Sequence, residues 1–435
     1  MSTAITREDV LTYHLGGKIG LHLPHPLRGQ RDLCLAYTPG VAQAVKQIAA
    51  APSDAFRYTA RANLVAVVSD GTAILGLGDL GALASIPVME GKAVLFKSFA
   101  DIDGWPVPLA RCRQGGADTG KTDPQRVIDA VAAIAPMYGG INLEDIAAPA
   151  CFEIEDTLDA MLDIPVFHDD QWGTAVITLS GVMNYAELAG KPLSALKVVV
   201  NGAGAAGIRI ADMCKAAGVH DLTMCDSKGV LREDRTDLND HKRRHAVKAS
   251  LRTLQEAIRG ADVFIGVSAA NVLSGDDVKA MAGFPAIFAM ANPDPEISPG
   301  EVAAALRDRP CVMVTGRSDY PNQINNVLGF PYLFRGALDA RARTINMEMK
   351  VAAARALAEL AHEPVPGEIQ ALYPSEALAF GPGYIIPKPF DKRLFVSVSS
   401  AVAEAAVQSG AAPAQDLAAL RARLVERDAA RFAAR

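Results

Sequence analysis

The chain has 435 residues, more than a single hydrophobic core usually serves, so its length predicts two domains. Half of the residues are hydrophobic and 21% are charged, which is typical of a globular protein and excludes a disordered chain. The net charge of -6 excludes the strongly basic balance on which nucleic-acid binding depends.

The N-terminal sequence has no basic and apolar leader of the secretory type, and Thr6 followed by Asp9 indicates the capped start of a helix. The longest uncharged stretches, such as residues 172–186, are shorter than the ~20 residues that a membrane-spanning helix needs. The six cysteines are scattered, without a CxxC pair, and indicate reduced thiols. We therefore expect a cytoplasmic protein with no membrane partner and, as is common for oligomers, a homodimer or larger homo-oligomer.

Short β-rich runs and alanine-rich stretches alternate in the first third of the chain. Residues 64–68, 93–96 and 166–167 read as strands, and residues 124–134 read as a helix. This alternation predicts an α/β fold with a parallel sheet. The runs end in glycine or aspartate clusters, so we expect function at the carboxyl ends of the strands.

A different pattern begins near residue 173, with a long apolar helix, a buried strand over residues 196–200, a glycine-rich turn and a helix over residues 205–217. Two further strands are predicted over residues 222–225 and 263–267. Together these elements predict a Rossmann-type, doubly wound sheet that binds a dinucleotide.

The domain organisation follows from these two patterns. We expect a smaller N-terminal α/β domain over residues 1–164, a Rossmann-type domain over residues 165–400, and a C-terminal helical tail packed on the body over residues 401–435. The densely charged residues 232–245 read as an exposed connection.

The glycine-rich turn has the sequence Gly202-Ala203-Gly204-Ala205-Ala206-Gly207, a GxGxxG match between a predicted strand and a predicted helix. In such turns the first glycine permits the tight bend, the second lets backbone amides approach a pyrophosphate, and the third allows close helix–strand packing. Asp226 ends the next predicted strand and can accept a hydrogen bond from a ribose hydroxyl. A glycine-rich turn with no ligand is the weaker alternative.

The choice between NAD and NADP stays open at this point. Asp226 favours NAD, because a carboxylate repels the 2′-phosphate of NADP. Lys228 and the basic run Lys242-Arg243-Arg244 can offset that repulsion, although such a run is more often a solvated face.

Two pairs of carboxylates follow predicted strands: Glu144-Asp145 and Asp169-Asp170. Four acids near one crevice repel one another unless a positive charge lies between them, so a bound divalent cation is the simplest explanation. All-oxygen ligands suit Mg²⁺ or Mn²⁺ rather than zinc. Any one of these acids alone would more often cap a helix or pair with an arginine. His168 is left unassigned, because a single histidine at a strand end is more often a hydrogen-bonded core residue.

These residues resemble the malic enzymes, in particular their shorter bacterial form, over residues 37–339. The glycine turn alone is shared by many dehydrogenases, but several blocks together make the resemblance specific. The blocks are Tyr37-Thr38-Pro39-Gly40, Ser69-Asp70-Gly71 with the Leu-Gly-Leu-Gly block at 75–81, Gly91-Lys92, residues 140–145, His168-Asp169-Asp170-Gln171, Ala291-Asn292-Pro293 and Asn325-Asn326.

The resemblance implies an enzyme, an NAD(P)-dependent malate dehydrogenase of the oxaloacetate-decarboxylating type. Such an enzyme oxidises (S)-malate to pyruvate and CO₂ and reduces NAD(P)⁺. The resemblance also implies site residues: Glu144, Asp145 and Asp170 as ligands of Mg²⁺ or Mn²⁺; Lys92 as general base and Tyr37 as general acid; Asp169 as support of the catalytic site; and Asn292, Asn325 and Asn326 as substrate contacts, with Asn292 also near the cofactor.

General chemistry agrees with these implied roles. A lysine that is buried beside a cation can take the C2 hydroxyl proton as hydride leaves for the nicotinamide. A metal polarises the new carbonyl for loss of CO₂, and a tyrosine phenol can then protonate carbon. Without the surrounding blocks, Lys92 and Tyr37 would read as a surface lysine and a half-buried aromatic residue.

Three departures from the family keep alternatives open. Thr72-Ala73 stands where larger malic enzymes carry an arginine for the substrate carboxylate, Trp172 replaces a histidine common in the short form, and the glycine-rich connection at 111–122 is long. One alternative is another two-domain NAD(P)-dependent dehydrogenase, which would not need the four acids. The other is a catalytically silent, nucleotide-binding regulatory homologue.

Overall fold

The computed structural model describes residues 5–74, 77–117, 120–248 and 250–433. Residues 75–76 of the Leu-Gly-Leu-Gly block and residues 118–119 of the long connection lie outside the described residues. The chain divides into two compact units, the first formed by Met1–Ile146 with Asp156–Val166 and the second by Ala147–Glu155 with Phe167–Arg435. The predicted division after residue 164 lies two residues before the boundary at 166. The second unit also includes residues 147–155, which the prediction placed in the first domain.

The first unit is built on a four-stranded sheet. Its strands are ordered β2-β1-β3-β4, and β1 runs parallel to both β2 and β3. The α/β fold with parallel strands is therefore confirmed. Its elements are α1 (Arg7–His14), α2 (Gln30–Ala36), α3 (Val41–Ala50), α4 (Ala55–Tyr58), β1 (Leu64–Ser69), α5 (Ala82–Ala100), β2 (Asp103–Pro108), α6 (Pro124–Ile134) and β3 (Gly140–Leu143); α7 (Ala150–Met161) and β4 (Val166–His168) continue into the second unit.

Local signals placed several of these elements correctly. Thr6 caps α1 in a reciprocal capping box with Asp9, as their spacing predicted. The helix predicted over residues 124–134 has the bounds of α6. The strand predicted over residues 93–96 is wrong, because these residues belong to α5. Met89, Ala93 and Phe96 are buried at helical spacing on that helix, and a short apolar run cannot distinguish a buried helix from a strand.

The second unit contains a six-stranded sheet ordered β10-β9-β8-β5-β6-β7. Neighbouring strands are parallel except for β7, which pairs antiparallel with β6. This order, with the strand before the glycine turn in the interior, is that of a doubly wound dinucleotide-binding sheet and confirms the predicted Rossmann-type fold. Its strands are β5 (Lys197–Asn201), β6 (Asp221–Asp226), β7 (Gly229–Val230), β8 (Val263–Gly266), β9 (Ala286–Ala289) and β10 (Val312–Thr315).

Helices cover this sheet and continue to the C-terminal region. Val199, Phe264 and Ile287 are fully buried in one hydrophobic core of the sheet. The helix predicted after residue 401 begins earlier, at Arg393, and packs against two preceding helices of the same unit. The helices are α8 (Asp169–Leu188), α9 (Ala205–Ala216), α10 (Asp240–Arg243), α11 (Leu254–Ala257), α12 (Gly275–Lys279), α13 (Pro299–Leu306), α14 (Phe330–Ala340), α15 (Met347–Leu360), α16 (Gly367–Gln370), α17 (Arg393–Gln408) and α18 (Leu417–Ala433).

Two further properties concern the cysteines and the longer helices. All six cysteines are free thiols, and burial raises the pKa of Cys214 and of Cys225 to about 12. Within the described ranges, no helix combines the length and apolarity that crossing a bilayer requires.

Candidate active site

The first unit brings the proposed base and one proposed metal ligand into direct contact. Lys92, on α5, places its Nζ 2.9 Å from Oε1 of Glu144, which follows β3. Asn142 Nδ2 donates to the other carboxylate oxygen at 2.9 Å. The Lys92 side chain is 11% exposed and that of Glu144 is 5% exposed, so the ion pair is largely shielded from water.

Asp145 occupies a bend that few residue types adopt. Its φ of 55° lies in the left-handed region, which aspartate tolerates better than most side chains do. Its carbonyl accepts a hydrogen bond from the Ala73 backbone N–H at 3.0 Å, and the residue is 3% exposed. The loop at Thr72-Ala73 is therefore tied to the backbone of a proposed metal ligand.

The long connection at 111–122 contains a buried arginine, Arg113, which joins it to neighbouring loops. Sequence reasoning did not identify this residue. Its guanidinium is 2% exposed and lies 2.7 Å from Oδ2 of Asp70 and 3.0 Å from Oδ1 of Asp79. Thr72 and Thr122 each donate a hydroxyl hydrogen bond to Asp70 at 2.6 Å. Arg113 thus holds neighbouring loops together with its charge already balanced, and it does not replace the arginine missing at Thr72-Ala73.

Tyr37 stands apart from this cluster. It caps the C-terminus of α2, the residue is 68% exposed, and its hydroxyl forms no hydrogen bond with the described residues. The described contacts bring Lys92 and Glu144 together but do not bring Tyr37 to them. Its role as an acid remains a prediction.

Asp169 and Asn326 form the second group of predicted residues, in the second unit. Asp169 begins α8 and is fully buried, and Asn326 Nδ2 donates to its Oδ2 at 3.2 Å. The Thr174 hydroxyl donates to the side-chain Oδ1 of Asn326 at 3.0 Å, so both the oxygen and the nitrogen of that amide form hydrogen bonds. Gly173 makes room for the pair, since a Cβ there would lie 2.1 Å from Asp169 Oδ1. The side-chain Oδ1 of Asn325 accepts a hydrogen bond from the Val327 backbone N–H at 3.1 Å.

His168 is a fully buried residue, but the expected hydrogen bond is absent. Within the described part of the chain neither ring nitrogen has a hydrogen-bond partner, and Nδ1 lies 3.9 Å from Oδ2 of Asp170. Asp170 is partly open to solvent, with 40% of its side chain exposed.

Trp172, which departs from the family pattern, belongs to a buried polar cluster. Its indole N–H donates to Glu155 Oε2 at 3.0 Å, and the other Glu155 oxygen accepts the His168 backbone N–H at 2.8 Å. Arg209, on α9, lies 4.5 Å above the indole ring and donates to Gln171 Oε1 at 2.8 Å. These contacts tie the helix after the glycine turn to the first turn of α8. The sequence offered no signal for them, because the partners are far apart along the chain.

The glycine turn has the three features expected of a dinucleotide-binding turn. Gly202 has a φ of 118°, and a Cβ there would lie 2.5 Å from the Val267 carbonyl oxygen. A Cβ at Gly207 would lie 1.9 Å from the Gly202 carbonyl oxygen, whereas a Cβ at Gly204 would meet no atom within 4 Å. The turn and the helix–strand packing therefore require Gly202 and Gly207, and the open space lies at Gly204.

A cavity of about 630 Å³ opens beside this turn. Gly202, Ala203, Gly204 and Asp226 line it, together with Lys228, Lys242, Arg252 and Ser268. The other predicted cofactor residues do not line it: Ala205, Ala206 and Gly207 form the start of α9, and Asn292 is an exposed residue after β9.

The surroundings of Asp226 correct the interpretation of residues 232–245. Arg235 and Lys242 are not simply solvated, because Arg235 forms two hydrogen bonds to Asp226, at 2.9 and 3.0 Å, and Lys242 forms another at 2.9 Å. Lys228 adds its backbone N–H at 3.0 Å. Burial alone would raise the pKa of Asp226, but these hydrogen bonds outweigh it and lower the pKa to about 2. The polar segment thus folds back to neutralise the acid at the end of β6.

The parallel sheet, its glycine turn and the acid-ended neighbouring strand define a dinucleotide-binding protein of the Rossmann type. Residues 18–159 match the family described as malic enzyme, N-terminal domain, and residues 172–378 match malic enzyme, NAD binding domain. The chain therefore belongs to the malic enzyme family.

Similar proteins agree with this membership. An NADP-dependent malic enzyme of Rhizobium meliloti is 53% identical over 95% of this chain and 54% of its own length. One from Halomonas elongata is 51% identical over 94% of this chain and 96% of its own length. The crystal structure of malic enzyme from Pyrococcus horikoshii is 39% identical, covers 97% of this chain and 95% of that chain, and has a TM-score of 0.86. The chain thus spans about half of the first relative and nearly all of the other two.

Proposed function

We propose that this chain is a malic enzyme that catalyses the metal-dependent oxidative decarboxylation of (S)-malate to pyruvate and CO₂ with reduction of NAD(P)⁺. The observation that carries the proposal is the shielded Lys92–Glu144 pair, which occurs in a chain that also has an open dinucleotide-type turn at Gly204. In this proposal residues 1–164 form the catalytic domain and residues 165–400 the cofactor domain.

Glu144, Asp145 and Asp170 are the proposed ligands of Mg²⁺ or Mn²⁺. Their donor set is all oxygen, as these hard cations prefer. Both acidic pairs directly follow strands β3 and β4, which are neighbours in one sheet. Glu144 and Asp145 are 4% and 3% exposed, and a bound cation would add to the positive charge that Lys92 places beside these two buried acids. When bound there, the cation polarises the C2 oxygen and stabilises the negative charge that develops as CO₂ leaves.

Lys92 is the proposed acceptor of the C2 hydroxyl proton. Oxidation removes that proton and a C2 hydride, for which the nicotinamide supplies the acceptor when bound. Glu144, 2.9 Å away, orients Lys92 Nζ and balances its charge once it is protonated. The C3–C4 bond then breaks with its electron pair left on C3, and Tyr37 is the proposed donor of the proton that C3 receives. The exposed Tyr37 hydroxyl, which no described residue engages, supports that role.

Asn325 is the proposed contact for a malate carboxylate, rather than Asn326. The side-chain amide of Asn326 already forms hydrogen bonds to Asp169 and Thr174, so it connects its own loop to the first residues of α8. Asn325 uses its carbonyl oxygen for a backbone cap, which leaves its N–H₂ group to donate. We propose that Asn325 and the exposed Asn292 together supply the donors that the missing arginine provides in larger relatives.

NADP⁺ is the proposed cofactor. Both oxygens of Asp226 accept hydrogen bonds from Arg235, so this carboxylate neither repels a 2′-phosphate strongly nor remains open to a ribose hydroxyl. Among the charged residues that line the cavity, three are cations, Lys228, Lys242 and Arg252, and one is an acid, Asp226.

Lys242→Ala tests the cofactor preference. Loss of a charge-assisted contact predicts a fall of about tenfold in kcat/KM for NADP⁺, with the value for NAD⁺ within about twofold of wild type. Lys248→Ala, at an exposed lysine six residues further along the chain, is the matched control. Equal effects of Lys242→Ala on both cofactors would reject the preference.

The function itself is tested with the full-length protein, (S)-malate, Mn²⁺ and NADP⁺ or NAD⁺. Reduced cofactor, pyruvate and CO₂ are expected in equal amounts. Another dehydrogenase would reduce the cofactor without forming pyruvate and CO₂. A silent homologue would form none of the three products while still binding the cofactor.

A further inference from the structure

Glu296 is a fully buried acid that the function described above does not use. It lies in the loop between β9 and α13 and is 0% exposed. Its Oε1 accepts the Ser268 backbone N–H at 2.9 Å, and its Oε2 accepts the Ala291 backbone N–H at 3.0 Å. One carboxylate therefore holds the loop after β8 and the loop after β9.

The space for this carboxylate is provided by a glycine. A Cβ at Gly266, the last residue of β8, would lie 2.4 Å from the Glu296 carboxyl carbon. Any larger residue at Gly266 would displace the acid from both backbone N–H groups. The end of β8 is thus shaped to receive Glu296.

Ser268 extends the connection to the strand before the glycine turn. Its hydroxyl accepts a hydrogen bond from Asn201 Nδ2 at 2.8 Å, and Asn201 directly precedes Gly202. Asn201 and Ser268 both line the cavity. Glu296 therefore orders the wall of the cavity without lining it.

The sheet order indicates which half of the cofactor this wall faces. The basic group around Asp226 follows β6, on one side of β5, and takes the adenosine half. Strands β8 and β9 lie on the other side of β5. Their loops, which Glu296 joins, therefore face the nicotinamide half.

We infer that Glu296 is a positioning residue that fixes Ser268 and the backbone at Ala291 and Asn292 against the nicotinamide half of the bound cofactor. This inference rests on the proposed function, because that function requires hydride transfer to a correctly oriented nicotinamide. Asn292, one residue beyond the Ala291 N–H, would then be oriented toward substrate by the same carboxylate.

Glu296→Gln in the full-length protein is the test, because it keeps the shape and changes one acceptor. Both carboxylate oxygens accept from backbone N–H groups, so an amide must turn its own N–H₂ group toward one of them. We expect kcat to fall about tenfold or more and the Kd for NADP⁺ to rise. The Kd for adenosine 2′,5′-bisphosphate, which lacks the nicotinamide half, should stay within about twofold of wild type.

Two further variants complete the test. Glu426→Gln, at an exposed glutamate of α18, is the control and should leave all three values unchanged. Ser268→Ala keeps the backbone N–H bond to Glu296 but removes the hydroxyl that Asn201 contacts, so a smaller change in the same direction is expected. The Ser268→Ala variant tests the inference if the Glu296→Gln protein does not fold.

Wild-type kcat and NADP⁺ affinity in Glu296→Gln would overturn the inference, and so would an equal loss of affinity for NADP⁺ and for the fragment. Failure of the proposed function gives a different result, because the wild-type protein would then form no pyruvate. The ratio of the two dissociation constants still tests Glu296 in that case.

Discussion

Carboxylates follow strand ends in both compact units, but their surroundings differ. After β3, Glu144 meets one lysine, Lys92, at 2.9 Å, and Asp145 follows it directly. At the end of β6, Asp226 is surrounded by Arg235, Lys242 and the Lys228 backbone N–H. Acids at strand ends in the two sheets thus have different neighbours: a lysine and a second acid beside Glu144, and an arginine and a lysine on Asp226.

This difference shows that the position of an acid at a strand end does not determine whether it helps to bind a cation or an anion. Among the described residues around Asp226 cations are in excess, which suits a bound anion such as a phosphate. A pair of buried acids after one strand suits a bound cation. The predictions below alter residues of one or the other site, from the largest expected effect to the smallest.

Lys92→Ala removes the proposed base from the acidic region. General-base catalysis typically contributes 10²–10⁴-fold, so we expect kcat to fall by about 10³-fold. The cofactor Kd should change much less than kcat, since other residues line the cavity beside the glycine turn. Steady-state kinetics and cofactor titration measure both. Lys97→Ala, on the exposed side of the same helix, is the control, and a kcat of Lys92→Ala within threefold of this control would rule out the assigned role.

Asp170→Asn removes one proposed metal ligand. Loss even of an outer-shell partner commonly costs metal sites at least about tenfold in affinity, so the Kd for Mn²⁺ should rise by at least that factor. Electron paramagnetic resonance of free Mn²⁺ measures it. The exposed Asp163→Asn variant is the matched control, and equal Mn²⁺ affinity of the two variants would remove Asp170 from the site.

Gly204→Ala and Gly207→Ala separate binding from folding in the second unit. A Cβ at Gly204 meets no atom, so Tm should be unchanged while the cofactor Kd rises, because the methyl group occupies the approach to the turn. A Cβ at Gly207 clashes with the Gly202 carbonyl oxygen, so the protein should lose about 1–3 kcal/mol of stability. Thermal unfolding and cofactor titration of both variants check this. Equal losses of Tm would show that Gly204 is structural.

Asp226→Asn gives the smallest effect, a pH-dependent one. The folded-state pKa of about 2 lies below the ordinary value of 3.8, so the ionised carboxylate stabilises the fold above about pH 4. That stabilisation is lost as the pH falls toward 2, and about half of it is gone at pH 3. Urea unfolding at pH 6 and pH 3 should therefore show a shrinking difference between wild type and Asp226→Asn. Asp221→Asn, exposed on the same strand, is the control. A difference that stays constant between pH 6 and pH 3 would contradict the assigned surroundings of Asp226.

Features set by neighbouring residues were predictable from the sequence. The roles of Gly202 and Gly207 follow from the short strand–turn–helix segment that contains them, and the structure has the expected close contacts. The strands after which the four acids lie were also correct, since each is a short run with buried apolar residues that two acids follow directly. The error at residues 93–96 arose because four apolar residues fit a helix as well as a strand.

Features set by distant partners were not predictable. Arg113 and Asp70 are 43 residues apart, and Ser268 and Glu296 are 28 apart. Residues 232–245 have the composition of a solvated loop, yet Arg235 and Lys242 turn back to Asp226 because a buried carboxylate requires countercharge. A single sequence does not reveal which of its many charges will meet.

The dependence of activity on a divalent cation tests the central claim most directly. Protein treated with a chelator and freed of it is assayed with (S)-malate and NADP⁺ before and after addition of Mn²⁺. We predict negligible formation of pyruvate without the metal and full recovery with it, because the proposed ligands Glu144, Asp145 and Asp170 would hold a cation that the reaction needs. A full rate of pyruvate formation without added metal would contradict the claim.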